Sequence, residues 1–302
     1  MAAVINEPIA NLMAVIPPFM SFKTQQARHS RHAIDRRLPV RLTESMHANT
    51  AAKLPAVTLG FWITKILATT MGETGGDAVS MSMGVGYLAS TVLFFVVFVA
   101  AVGLQISTRR FRPAVYWLAV IASTTVGTTL ADFADRSLGI GYPGGATLLL
   151  GLTLGSLFAW HRALGSIDIA TVVDARSEAW YWVTIMFSQT LGTALGDWTA
   201  DSVGFGYGGA ALLFAALLSF VALALAFTRI SRTALFWTAF VLTRPLGAVV
   251  GDFLDKPLAE GGLALSRYAA TGVLFAAIAV LVLVVPQRAA VARNIDRRPI
   301  AR

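Results

Sequence analysis

Apolar residues dominate the chain in long runs beyond about residue 57, and short polar or glycine-rich breaks separate these runs. Each run is close to the roughly 20 residues that a helix needs to cross about 30 Å of hydrocarbon. The pattern predicts eight membrane-spanning helices, at about residues 59–80, 85–106, 114–135, 143–163, 178–200, 208–229, 234–255 and 267–287. Glycine turns, which suit a tight chain reversal, follow the first, third and fifth spans. After the seventh span, Lys256 and Pro257 replace that turn.

The odd-numbered spans repeat one pattern, whose positions we count from its Trp. A Gly stands at position 10, and an Asp preceded by Gly or Ala stands at position 15. The Trp residues are Trp62, Trp117, Trp182 and Trp237, and the Asp residues are Asp77, Asp132, Asp197 and Asp252. With two spans per repeat, all four repeats cross the membrane in one direction, which predicts pseudo-symmetry about the membrane normal. Each Asp then lies about 22 Å beyond its Trp, so that the four carboxylates share one level.

This repeat resembles that of a bacterial family of uncharacterised membrane-anchored proteins. That family is built from four tandem repeats of unknown function, each with two transmembrane spans and one Trp. The resemblance extends over about residues 59–287 and rests on the four Trp with their following Gly and Asp. It implies an all-α integral membrane protein with eight spans, the architecture that the hydrophobic pattern also predicts, and it implies no substrate or activity.

Each odd span carries its polar residues on one face, whereas the even spans are apolar almost throughout. Positions 7, 8, 11, 14, 15 and 18 share this face, which is about 120° wide on a helical wheel. A carboxylate near the membrane centre costs about 2.5–3.5 kcal/mol when it faces lipid. We therefore expect four inner odd helices around a polar axis, brought close together by the Gly or Ala beside each Asp and shielded by the even helices. The expected ion-binding residues are Asp77, Asp132, Asp197, Asp252, Glu73, Asp135, Asp201 and Asp255, and the expected polar pathway contains Thr70, Thr125, Thr128, Gln189, Thr190 and Thr193.

Two basic residues lie inside odd spans, Lys65 near Trp62 and Arg244 in the middle of the seventh span. A cation within a membrane normally pairs with a carboxylate, and we expect the partner of Arg244 on another helix. Such cations either compensate charge permanently or alternate with a transported cation. Pro245 is the one proline deep inside a span, which makes the fourth repeat the candidate gate.

Some of these features leave two interpretations open. The Asp residues either bind ions or protons or form a structural network. The Trp residues are markers of packing or of the membrane interface, or they recognise a ligand. A second acid follows the main Asp by three residues in the second and fourth repeats, so the symmetry is closer to twofold than to fourfold.

The composition narrows the class of protein and of site. Of 302 residues, 56% are hydrophobic and 13% are charged, whereas soluble domains carry about 25% charged residues. The chain has no Cys, and none of its four His lies in a predicted span, so thiolate and buried imidazole metal sites are not expected. No cofactor is expected apart from a bound metal ion of unknown identity. Carboxylate, hydroxyl and amide oxygens suit hard cations or protons.

The basic residues are distributed very unevenly between the two ends of the spans. Nineteen flank one side, against Arg136, Lys256 and Arg267 on the other, which predicts cytoplasmic termini in a bacterial inner membrane. The net charge of +8 therefore reflects topology, and no nucleic-acid partner is expected. The expected partners are the bilayer and a small cation, with a homo-oligomer left open. We predict a disordered basic arm at 1–55, a membrane domain at 56–288 with repeats at about 59–106, 114–163, 178–229 and 234–287, and a basic tail at 289–302.

The function favoured by these patterns is a secondary transporter or permeation pathway for a small hard cation, namely a divalent metal ion, Na⁺ or H⁺. A non-transporting membrane scaffold or regulatory protein is the alternative. An intramembrane enzyme is the least favoured class, because four parallel acids do not match a two-acid catalyst. The spacing of Asp, Gly, Ala and Arg in phosphoalcohol transferases also does not occur here. We therefore expect no enzymatic activity.

Overall fold

A computed structural model of the protein describes residues 52–108 and 110–292. Most of the predicted arm and tail, residues 1–51 and 293–302, lies outside the described residues, so the predicted domain boundaries stay predictions. The described residues form eight long α-helices, one for each predicted span. These helices are α1 (Leu59–Asp77), α2 (Tyr87–Ser107), α3 (Pro113–Asp132), α4 (Tyr142–Leu164), α5 (Ala175–Asp197), α6 (Gly206–Phe227), α7 (Arg232–Asp255) and α8 (Arg267–Val284).

Helices α1, α3 and α5 end in the same way, directly after the Asp at position 15. Each continues into a five-residue π-helical turn, at Ala78–Ser82, Phe133–Ser137 and Trp198–Ser202. Two glycines with positive φ then reverse the chain, as Gly84 at 68° and Gly86 at 81° do in the first repeat. Residues with a side chain rarely adopt these angles, which explains the predicted glycine turns.

Helix α7 departs from this ending. Lys256 leaves the helical conformation with ψ 153°, and Pro257 follows it. A proline has no backbone N–H to donate, so the helix cannot continue through it as the other three do. The departure predicted for the fourth repeat is therefore a real difference in backbone, and it fixes the position of the Lys256 side chain.

The four odd helices form a closed inner ring. Helix α1 packs against α3, α3 against α5, α5 against α7, and α7 against α1. Each even helix packs on the outside, mainly against the odd helix of the following repeat: α2 on α3, α4 on α5, α6 on α7 and α8 on α1. Each repeat therefore packs against the next one, and the fourth packs against the first, which closes the ring. This arrangement agrees with the inner and outer groups expected from the polar faces.

Six of the described helices are long and apolar enough to cross a membrane: α2, α3, α4, α6, α7 and α8. Helices α1 and α5 do not reach this level, because they carry more charged and polar residues, such as Lys65, Glu73 and Asp77 in α1. Those three side chains are buried inside the ring. The sequence pattern thus predicts eight helices correctly, whereas the crossing of a membrane by all eight remains a proposal.

Candidate functional site

The glycine at position 10 marks the closest approach between neighbouring odd helices. A Cβ atom on Gly72 would clash with Thr124, and one on Gly247 would clash with Thr69. In each repeat the residue that it meets is at position 7 of the next odd helix. The four pairs are Gly72 with Thr124, Gly127 with Gln189, Gly192 with Arg244 and Gly247 with Thr69. Because glycine has no side chain at position 10, each inner helix can approach the next one closely, and this holds around the whole ring.

Aromatic rings fill the end of the inner ring that carries the four Trp, which we call the Trp end. The residue before each Trp is also aromatic, and its ring lies against the Trp of the next repeat. The centroid distances are 5.6 Å for Phe61–Trp117, 5.8 Å for Tyr116–Trp182, 6.2 Å for Tyr181–Trp237 and 5.8 Å for Phe236–Trp62. These contacts close a cycle, and the hydroxyls of Tyr116 and Tyr181 lie 2.7 Å apart within it. The Trp side chains thus pack against aromatic rings of the preceding inner helix, whereas their predicted role stays a prediction.

Lys65, at position 3 of α1, lies inside the ring about one helical turn beyond Trp62. Its side chain is fully buried, and Nζ lies 3.8 Å from the centroid of the Phe240 ring on α7. Among the described residues, Nζ has no hydrogen-bond partner. An aromatic face attracts a cation more strongly when water is excluded, so Phe240 supplies partial compensation. The carboxylate partner expected for this lysine is not found within 52–108 or 110–292.

Arg244, at position 7 of α7, occupies the centre of the ring. Its Nη1 and Nη2 each donate to Oε2 of Glu73 on α1 at 2.9 Å, and the arginine side chain is fully buried. Nη2 also donates to the hydroxyls of Thr128 on α3 at 2.6 Å and Thr193 on α5 at 2.5 Å. One side chain therefore contacts all three other inner helices. The structure gives Arg244 a carboxylate on another helix, as the sequence predicts.

The four Asp at position 15 lie at the opposite end of the ring, which we call the Asp end, and all four are buried. Arg136 links two of them. Its Nε lies 3.1 Å from Oδ1 of Asp132, and its Nη2 lies 3.4 Å from Oδ2 of Asp197. The guanidinium therefore joins the Asp of its own repeat to the Asp of the next.

Lys256 links the other two in the same way. Its Nζ lies 3.1 Å from Oδ2 of Asp77 and 3.2 Å from Oδ1 of Asp252. Burial alone would lower the pKa of Lys256, but the carboxylates of Asp252 and Asp77 outweigh burial and raise that pKa well above its ordinary value. The side chain is therefore an ammonium group that neutralises part of the charge of its two neighbours.

The second acids are distributed unequally around the Asp end. Asp255 is buried, and its Oδ2 lies 3.2 Å from Nε of Arg267, whose Nη2 lies 3.7 Å from Oδ2 of Asp77. Asp135 is also buried, whereas Asp201 is exposed and accepts a hydrogen bond from the Tyr142 hydroxyl at 3.4 Å. Asp201 therefore lies at the rim, away from the buried acids.

Two observations define what the Asp end can do chemically. Asp77, Asp252 and Asp255 each offer one carboxylate oxygen within 4.8 Å of the oxygens of the other two, a spacing suited to a hard metal ion. Among the described residues, six Asp side chains are buried at this end, and three basic side chains form ion pairs with all of them except Asp135. The six are Asp77, Asp132, Asp135, Asp197, Asp252 and Asp255, and the three are Arg136, Lys256 and Arg267.

The residues of the predicted polar pathway make different contacts according to their position in the repeat. The hydroxyls at position 8 donate to carbonyls of their own helices: Thr70 to Ile66 at 3.0 Å, Thr125 to Ile121 at 2.9 Å and Thr190 to Met186 at 3.0 Å. Thr128 and Thr193, at position 11, instead contact Arg244 at the axis. Gln189 donates to the Ser123 hydroxyl at 3.4 Å. Position 11 is thus the level at which hydroxyls reach the centre.

The same periodicity is recognised when the chain is compared with known families. Residues 60–111, 115–165, 180–231 and 235–285 each match a repeat of unknown function, DUF347. The four matches cover more than half of the chain. The protein belongs to the DUF347 repeat family. No curated protein and no solved structure matches the chain.

The two basic side chains that pair with the main Asp residues were not predicted from the sequence. Arg136 and Lys256 both stand at position 19, in the second and fourth repeats, where the first and third have Met81 and Asp201. In the sequence they serve only to orient the chain, because both lie outside or at the edge of an apolar run. Both residues follow the main Asp of their repeat by four positions, and this spacing is the one observation from which their contact with the carboxylate could have been predicted.

Proposed function

We propose that this DUF347 protein is a multi-pass membrane protein whose eight helices all cross the bilayer, and that its inner ring carries a small hard cation or proton across. The burial of Lys65, Glu73 and Asp77 of α1 and of Asp197 of α5 supports the crossing of these two helices, because the charged groups then avoid lipid. The uneven distribution of Lys and Arg supports cytoplasmic termini in a bacterial inner membrane.

The observation that carries this proposal is the excess of buried carboxylate at the Asp end. Among the described residues, six Asp side chains are buried there, whereas three basic side chains pair with five of them and Asp135 has no ion pair. A buried charge without a partner is costly, so the remaining carboxylates must be balanced by protons or by ions. Oxygen-only ligands favour H⁺, Na⁺ or a hard divalent ion over softer metals.

Passage along the axis would require Arg244 to move. Its guanidinium fills the centre and holds Glu73, Thr128 and Thr193. The next residue, Pro245, has no backbone N–H to donate, so α7 lacks one of its internal hydrogen bonds directly beside Arg244. We therefore place the gate in the fourth repeat and propose that the Arg244 side chain is the group that moves.

The test is ion flux with the purified full-length chain in proteoliposomes. Asp132→Asn and Asp197→Asn each remove one buried charge next to Arg136, and we expect each to abolish flux while the protein still folds. Glu260→Gln is the matched control, because Glu260 is an exposed acid in the loop after α7. Wild-type flux in single Asn variants of all four main Asp would reject an ion-coordinating role.

A non-transporting scaffold is the second candidate, and one observation favours it. The central guanidinium and the shared ion pairs fill the axis with fixed compensating contacts, as a static bundle would require. Under this function, wild-type liposomes show no flux for any cation tested, and deletion of residues 1–50 disturbs the cell more than any Asp variant. The proposal contains no catalytic step, and turnover of a lipid or peptide without a gradient would contradict it.

A further inference from the structure

The two cations at position 19 hold equivalent pairs of Asp but differ in chemistry. Arg136 is a planar guanidinium that reaches Asp132 and Asp197 with separate nitrogens. Lys256 is a compact ammonium on a flexible stem that reaches Asp77 and Asp252 with one nitrogen. An ammonium is a point charge with three rotatable donors, and thus resembles a small cation more closely than a guanidinium does.

The surroundings of the two cations also differ. Only at Lys256, within the described residues, do three carboxylates bring one oxygen each within 4.8 Å of one another, because Asp255 joins Asp77 and Asp252. The Oδ1 atoms of Asp77 and Asp255 are buried, and neither has a hydrogen-bond partner in the described part of the chain. The cluster therefore contains acceptor capacity that Lys256 and Arg267 leave unused.

The charges at this cluster match a divalent ion. Three carboxylates carry three negative charges, and Arg267, which contacts Asp255 and Asp77, balances one of them. If the Lys256 ammonium leaves, two negative charges remain without a partner. A divalent cation with water in its remaining positions would balance them, and carboxylate and water are the ligands of Mg²⁺ and Mn²⁺.

We propose that Asp77, Asp252 and Asp255 form a site for a hard divalent cation and that Lys256 occupies this site as a tethered competitor. The incoming cation displaces the ammonium, which swings out on its stem. The Arg136 pair has the same place in the repeat but holds its cation permanently. This assignment rests on the proposed function for its role in flux, whereas the site itself can be tested by binding alone.

The experiment is a Mn²⁺ titration of the full-length protein in detergent, with free Mn²⁺ followed by its electron paramagnetic resonance signal. Lys256→Met removes the competitor, and we expect binding to tighten by about tenfold or more because one positive charge no longer opposes the metal. Asp255→Asn added to this variant is expected to abolish the gain. Arg162→Met, at an exposed residue of α4, is the control and should leave Mn²⁺ binding unchanged.

Thermal unfolding gives a second measurement if Lys256→Met is weakly folded. Mn²⁺ should raise the melting temperature of Lys256→Met, because the metal replaces the lost charge, but not that of the control Arg162→Met. Equal Mn²⁺ effects on both variants, or no effect on either, would overturn the assignment. Binding without flux in proteoliposomes would retain the site and reject transport. Flux that is unchanged in Asp255→Asn, together with no Mn²⁺ binding, would reject the site and retain transport.

Discussion

The ion pair between Arg244 and Glu73 gives the sharpest prediction about what holds the inner ring together. Both side chains are buried, and both guanidinium nitrogens that face Glu73 donate to the same oxygen at 2.9 Å. Replacing either residue by Met leaves the other charge buried without its partner. Replacing both removes the two charges and leaves apolar side chains of similar length at the axis.

The magnitude follows from the contacts that survive each change. Breaking a buried pair costs about 3–5 kcal/mol, whereas replacing both members by apolar residues is close to neutral or stabilising. In Glu73→Met the guanidinium keeps the hydroxyls of Thr128 and Thr193, so we expect a loss near the lower end, about 3 kcal/mol. In Arg244→Met, Glu73 keeps the Thr128 hydroxyl at 3.2 Å, so the loss should approach about 5 kcal/mol.

The assay is a double-mutant cycle on the free energy of unfolding, measured by Trp fluorescence in mixed micelles as the denaturing detergent increases. The double variant should lose less than either single variant, which gives a coupling free energy of about 5 kcal/mol or more. Arg162→Met, at an exposed residue of α4, is the control and should change stability by no more than about 0.5 kcal/mol. Additive losses within about 0.5 kcal/mol would refute the direct ion pair.

Three further predictions concern other levels of the ring. Gly247→Ala should lower the free energy of unfolding by about 1–3 kcal/mol, because the added Cβ would clash with Thr69. Gly103→Ala is the control: its Cβ would meet nothing within 4 Å, so the change should be neutral or slightly stabilising in the same unfolding assay. Tyr116→Phe should cost about 1 kcal/mol, and the matched change at Tyr87 should cost less, since Tyr116 forms a buried hydrogen bond. Lys65→Met should keep or raise stability, because Nζ has no hydrogen-bond partner among the described residues, and a loss above about 1 kcal/mol would contradict this.

The sequence predicts the helices and their grouping well, for clear physical reasons. A run of apolar residues long enough for a bilayer has few alternatives to a helix, since backbone groups in lipid must be satisfied within the segment. Helix α4, predicted at 143–163, is Tyr142–Leu164 in the structure. The polar face of each odd span likewise predicts the inner ring, because those residues avoid lipid only by facing one another.

The pairing of charges could not be predicted from the same pattern. A helical wheel places Glu73 and Arg244 on inward faces, but their contact depends on which odd helices become neighbours. That choice is made by the fourth repeat closing onto the first, which no local pattern reveals. The burial of Arg136 and Lys256 against the main Asp was missed for a related reason, because basic residues beyond the end of a span are normally topology signals.

The symmetry of the ring decreases from the packing contacts to the charges at position 19 and then to the axis. Packing is fourfold, since the glycine at position 10 meets position 7 of the next helix in every repeat. The charges at position 19 are twofold, since only the second and fourth repeats supply a cation there. At the axis no symmetry remains, because Arg244 is the one side chain within 52–108 and 110–292 that hydrogen-bonds to all three other inner helices. Packing between neighbours tolerates identical repeats, whereas one guanidinium that contacts Glu73, Thr128 and Thr193 together fills the axis, so the repeats must differ where they meet.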